Sequence, residues 1–171
     1  MKIKQELPQF EDKKALLIVS GKKEAKFYLA NAGEVKKIDQ LLPEEFKYSD
    51  NEGYFETRAM GKVVGSGSVR ERMKNYLIQQ FSDKLADKTL SLDKENKFDE
   101  IYLFSPDYMK NWVRENLSPQ LIKKIVLQSE GNYVQNPPFD LLEKIKKYEE
   151  EKRPAVPHTK EVDKLMKKKL K

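Results

Sequence analysis

The chain has no cysteine and a single histidine, His158. Disulfides and cysteine-ligated metals are therefore excluded, and no zinc site of the His/Cys type can be assembled. A Ser-His catalytic pair would have to recruit His158 from the far end of the sequence. Long apolar runs are missing too. Nowhere do roughly 18 apolar residues stand together, and the opening MKIKQELPQFEDKK lacks the apolar centre of a secretory signal. A soluble, cytoplasmic protein without membrane contact is expected. Excess charge is absent from most of the chain: residues 1–151 carry 26 basic and 26 acidic residues, so the net charge of +6 sits entirely in residues 152–171. The body is thus not a globally basic nucleic-acid binder.

What is there forms clean blocks. The 171 residues suit one domain, and although only 38% of them are hydrophobic, these cluster enough to build one core. ALLIVS (15–20), closed by Gly21, reads as a buried strand. AKFYLAN (25–31) and EVKKIDQLL (34–42) continue it as a meander whose third strand is the more exposed. Residues 43–67 are polar and form a long, mostly irregular connection, a length that in a compact domain points to function or disorder. From Ser68 the pattern turns helical, with Val69, Met73, Tyr76, Leu77, Phe81 and Leu85 predicted on one inward face. Ser68 and Glu71 fit a capping box, which makes Ser68 the expected N-cap.

Ile101–Phe104 reads as a buried strand, followed by Ser105 as N-cap and Pro106 at the first position of a helix. Met109, Trp112 and Val113 share a face of that helix, with Trp112 expected in the core. A last strand centres on Ile125–Leu127, and a last helix turns Phe139, Leu142, Ile145 and Tyr148 inward. The predicted fold is α/β, a mixed five-stranded sheet in the order βββαβαβα. It occupies residues 1–151, and residues 152–171 form a basic C-terminal tail. That tail contains two prolines and an amphipathic stretch around Val162, Leu165, Met166 and Leu170, and reads either as a solvated end or as a binding arm.

GKVVGSGSVRERM (61–73) is the segment that could carry chemistry. A P-loop needs Lys-Ser/Thr directly after its last glycine, but Gly67 precedes Ser68-Val69. A dinucleotide fingerprint needs a third glycine, where Arg70 stands. Two-metal nuclease chemistry needs a carboxylate on the first strand, and ALLIVS has none. What survives is an anion-binding character: free amides at a helix start, with Arg58, Lys62, Arg70, Arg72 and Lys74 against Glu71 alone between residues 58 and 74. Such a segment suits RNA phosphates. The alternative is a solvated helix start with a flexible entry.

Three stretches carry a family resemblance. ALLIVSGKKEAKFYLANAGEV is similar to the opening hairpin, NEGYFETR to the glycine-bearing loop, and KFDEIYLFSPDYMKNWVRENLSPQLIKKIVLQSEGNYVQNPPFDLLEKI to the strand-helix-strand-helix half of the bacterial host attachment protein family. That family is itself similar to the middle domain of archaeal and eukaryotic class I peptide chain release factors. The resemblance spans about residues 13–150 and implies a ribonuclease-H-like sheet. Release factors carry Gly-Gly-Gln, then Ser and an arginine-bearing helix, where this chain has GSGSVRERM. Gly65 and Gly67 match the glycine character, Ser68 the serine, and Arg70 and Arg72 the basic helix, while the glutamine is missing.

The resemblance therefore implies a stand-alone middle domain without the hydrolytic signature: a non-catalytic protein that needs no cofactor or metal. Its partner would be ribosomal RNA or the ribosome, with tRNA a further candidate. The expected RNA- or anion-binding residues are Arg58, Lys62, Gly65, Ser66, Gly67, Ser68, Arg70, Arg72 and Lys74. A protein-interaction or surface attachment module is the alternative reading, and an ester hydrolase acting on peptidyl-tRNA the third.

Overall fold

In the computed structural model, residues 1–42, 58–59, 62–63 and 67–152 are described, with side chains for 1–42 and 75–152. β1 (Ala15–Ser20) is buried at every position and forms the centre of a five-stranded sheet. Its six residues carry no charge, so the strand can be covered on both faces without stranding an ion. The turn to β2 (Ala25–Asn31) is closed by the Gly21 amide donating to the Glu24 carbonyl at 2.8 Å. The two-residue turn to β3 (Glu34–Leu41) has Ala32 at φ 47° and Gly33 at φ 73°. Two positive φ values in succession match the strands' right-handed twist, the geometry that favours glycine in such turns.

Two short strands follow, β4 (Arg58–Ala59) and β5 (Lys62–Val63), paired antiparallel as a separate ribbon. Helix α1 (Gly67–Asn96) then leads to β6 (Glu100–Ser105), which pairs parallel to β1. Helices α2 (Asp107–Asn116) and α3 (Pro119–Lys124) connect β6 to β7 (Ile125–Glu130), parallel to β6, and α4 (Pro138–Lys152) ends the described chain. The sheet order is β3-β2-β1-β6-β7, a mixed sheet as the sequence predicts.

Alternation along β1 divides the core. Leu17 and Val19 join Tyr28, Tyr102, Phe104, Leu141, Leu142 and Ile145 beneath α4 and the N-terminal segment. Leu16 and Ile18 join Phe27, Leu85, Leu103, Met109 and Val113 beneath α1, α2 and α3 on the other face. The C-terminus of α1 is tied down: Asp93 accepts from Lys124 Nζ through both oxygens, at 2.8 and 2.7 Å, and from the Phe98 amide at 3.1 Å.

Several expectations need correction. Ser105 does not cap a helix: it is the last residue of β6, fully buried, in register with Glu130, and Pro106 takes the cap position with extended backbone (φ −58°, ψ 148°). The same Ser-Pro signal does start α3, unexpected from the sequence, where Ser118 Oγ accepts from the Leu121 amide at 3.4 Å. The predicted order βββαβαβα is thus extended by the β4-β5 ribbon and α3. Trp112 and Phe139 are half-buried against the core, and Tyr148 is half-buried with its hydroxyl donating to the Val126 carbonyl at 2.6 Å.

The inward face of α1 agrees with the predicted one at Leu85, which is fully buried, and at Phe81, which packs half-buried against the core, but Tyr76 is exposed and the buried row also takes in Ile78, Ser82, Thr89 and Leu92. Two small polar residues thus occupy core positions, which hides the buried row from an apolar pattern. Thr89 Oγ1 satisfies itself on the Leu85 carbonyl at 2.7 Å, but Ser82 Oγ is buried without a hydrogen-bond partner among the described residues. Replacing Ser82 with Ala removes that desolvated hydroxyl and improves helix propensity. The variant is expected to be more stable by about 1 kcal/mol, seen as a higher urea midpoint with unchanged slope.

Candidate nucleic-acid interface

Helix length sets the geometry of this region. At 1.5 Å per residue, the 30 residues of α1 extend about 45 Å, whereas six-residue strands reach about 20 Å. The C-terminal end of α1 is fixed beside the start of β6 by the Asp93 contacts and by the Asp99 amide donating to the Lys14 carbonyl at 2.9 Å. The surplus length therefore lies at the N-terminal end. It runs past the edge of the sheet where β1, β6 and β7 finish.

A level along the sheet supports this. Lys88 on α1 pairs with Asp39 at 2.9 Å, and Asp39 stands in the row Asp39-Phe27-Ile18-Leu103. From that row the strands continue about 7 Å to their ends, while Tyr76 lies about 18 Å back along the helix.

Of the predicted binding residues, Arg58 lies in β4, Lys62 in β5, and Gly67, Ser68, Arg70, Arg72 and Lys74 in the first turns of α1. Gly65 and Ser66 lie outside the described residues, as does His158. Ser68 is not the N-cap: α1 already includes Gly67, so Ser68 has helical backbone, which a capping residue does not. The free amides accordingly begin with Gly67, and no acidic residue stands in the first turn to neutralise the positive pole of the helix.

The neighbouring edge of the sheet adds features that the sequence patterns did not single out. Lys22 and Lys23 are exposed in the β1-β2 turn. Tyr108, the second residue of α2, is exposed directly after β6 ends, and Leu42 is exposed directly after β3. Lys110 pairs with Glu130 at 2.5 Å. The strand ends themselves carry buried serines: Ser20 Oγ donates to the Gly21 carbonyl at 3.2 Å, and Ser105 Oγ has no partner among the described residues. No group of three or more His, Cys, Asp or Glu converges among the described residues into a metal site. Two surface depressions, of about 190 and 300 Å³, are lined by Arg114, Ile122, Ile125, Val126 and Gln128, and by Leu29, Asn31, Ala32, Glu34 and Lys36. Neither joins a nucleophile to a base.

Ionisable groups gather instead at the opposite edge, in a structural cluster. Tyr102 is buried and donates to Glu100 Oε2 at 2.9 Å, while Lys13 holds Glu100 Oε1 at 2.5 Å. Burial first, then the bond to the Glu100 carboxylate, push the Tyr102 phenol far above the ordinary tyrosine range. The folded protein therefore keeps this proton when the unfolded chain loses it, near pH 10. The stabilisation is complete below that pH and is lost as pH rises beyond it. Tyr102→Phe is expected to flatten the alkaline decline in urea midpoint, whereas a slope matching that of the unaltered protein would contradict this origin.

No helix among the described residues is long and apolar enough to cross a membrane. No family model matches the chain and no curated protein matches it, so the resemblance to the host attachment family stands on the sequence stretches alone. Among solved structures, it is similar to one described as an archaeal protein, at 11% identity and TM-score 0.46, covering 78% of this chain and 34% of that one. It is also similar to the archaeal translation termination factor aRF1, at 11% identity and TM-score 0.43, covering 82% of this chain and 40% of that one. The chain thus spans between about a third and two fifths of the length of these structures.

Proposed function

We propose that this chain is a non-catalytic, RNA- or ribosome-associated protein built like a release-factor middle domain without Gly-Gly-Gln. The observation that carries the reading is the overlong α1, which extends the segment bearing Arg70, Arg72 and Lys74 beyond the body of an otherwise charge-balanced sheet. Arg58 and Lys62, in the preceding ribbon, belong to the same basic segment. Backbone amides at the helix start and cationic side chains on one projecting element suit phosphate, which is the sequence-independent part of RNA recognition. A sheet with β1 central, β2 and β3 antiparallel on one side and β6 and β7 parallel on the other is in keeping with a ribonuclease-H-like topology. Ribosomal RNA is the proposed partner, tRNA a second candidate, and the cytoplasm the proposed location.

The test is co-sedimentation with ribosomes between roughly 50 and 200 mM salt, where phosphate contacts weaken steeply. Association at low salt that fades across this range is the expected result. Absence of association at the low end overturns the reading. Association that persists unchanged points instead to the alternative, a protein-interaction or attachment module.

A further inference from the structure

We propose that the hydroxyls of Tyr133 and Tyr148 guard the free edge of the sheet, holding β7 closed to the β7 strand of a second copy of this chain. This role is separate from the RNA contacts proposed above. The sheet ends in two edge strands, β3 and β7, and an edge presents backbone groups that another strand can pair. β3 carries its own deterrent: Glu34, Lys36 and Lys37 are exposed along it, and its pairing with β2 is irregular between Phe27 and Tyr28. β7 has no such protection. From Ile125 to Ser129 it reads IVLQS, half-buried at each position, without a charge or a proline, and Lys110 neutralises the one carboxylate, Glu130, at 2.5 Å. Such a run is self-complementary when laid antiparallel to itself about a two-fold axis.

The hydrogen bonds of this strand locate the guard. Ser105 stands opposite Glu130, and the Gly131 amide donates to the Ser105 carbonyl at 3.0 Å. Ser129 and Gly131 therefore turn their backbone to β6, while Gln128 and Glu130 turn theirs outward. Val126 falls at a register shift, opposite no residue of β6. The carbonyls of Val126, Gln128 and Glu130 thus lie outside the ladder, and tyrosines take the first and the last. Tyr148 Oη, from α4, donates to the Val126 carbonyl at 2.6 Å, and Tyr133 Oη, from the segment after β7, to the Glu130 carbonyl at 3.0 Å. Both rings are braced: Tyr133 packs edge-on to Phe104 at 5.5 Å, and Tyr148 is half-buried. An added strand bonds an edge at every second residue, so with both outer carbonyls occupied β7 offers it only that of Gln128.

The test is sedimentation velocity of the full chain from about 10 μM to about 1 mM, with Tyr133→Phe and Tyr148→Phe combined. Phe keeps each ring and removes only the hydroxyl, and circular dichroism checks that the fold is retained. The wild-type protein is expected to stay monomeric over this range. The double variant is expected to dimerise with an affinity at least about tenfold above the wild-type limit, because each freed carbonyl becomes available to a pairing strand. Gln128→Lys added to the double variant sets like charges opposite each other at the two-fold axis, and is expected to restore the monomer. If the double variant loses its fold, Tyr133→Phe alone carries the same comparison. A folded variant that stays monomeric overturns the guard. A wild type that already dimerises in this range overturns it too, as does a variant dimer that Gln128→Lys leaves intact.

Discussion

Replacing Arg70 and Arg72 together with Glu is expected to weaken RNA binding by at least about a hundredfold at low salt and to flatten its salt dependence. Each single-strand phosphate neutralised contributes about 0.7 to the slope of log affinity against log salt, so loss of two contacts lowers that slope by about 1.4. Reversal adds repulsion as well, because four units of charge change on a segment that carries only four net positive charges. Both residues lie within the first two turns of α1, in the part of the helix that exceeds the sheet. The fold itself should therefore tolerate the change, and the thermal midpoint serves as control. If the double variant binds with unchanged affinity and slope, the projecting helix is not the phosphate contact.

The parts of this architecture written most clearly in the sequence are those in which burial and residue type agree. β1 and β6 are runs of apolar and β-branched residues without a charge in their interiors, and nothing but a covered strand accommodates them at that length. The start of α1 was legible to within a residue, because glycine and serine give way there to a helical pattern. Part of the buried row of α1 was hidden, since Ser82 and Thr89 fill core positions that an apolar template passes over, while Tyr76, which that template turns inward, is exposed. Ser105-Pro106 and Ser118-Pro119 present the same local signal, and only pairing with β7 decides that the first Ser ends a strand while the second caps a helix. For the candidate interface, the charges of residues 58–74 were readable and the projection was not. Projection depends on where the other end of the helix is fastened, and the bidentate Lys124-Asp93 contact that fastens it joins residues far apart in the chain.

The second large effect concerns the two-sided core. Leu16 and Leu17 are adjacent in β1 and both fully buried, yet they belong to different clusters: Leu16 packs with the layer under α1 and α2, and Leu17 with the layer under α4. Leu16→Ala and Leu17→Ala are each expected to cost about 2–5 kcal/mol, the lost transfer energy plus the cavity that a paired central strand cannot collapse to fill. With the sheet between them, the two side chains share few partners, so the costs should nearly add. Their sum, about 4–10 kcal/mol, is comparable with the whole stability of a domain this size. Each single variant should therefore fold with a lower urea midpoint and an unchanged slope, while the double variant should lack a cooperative transition. A double variant no less stable than the weaker single would show that one layer alone holds the sheet, and that α4 or the α1-α2 layer adds little to it. A single variant with a reduced slope would show that the two layers unfold separately. The arrangement bears on the proposed interface directly. Only the α1-α2 layer carries the projecting helix, so Leu16→Ala should loosen RNA binding before Leu17→Ala does.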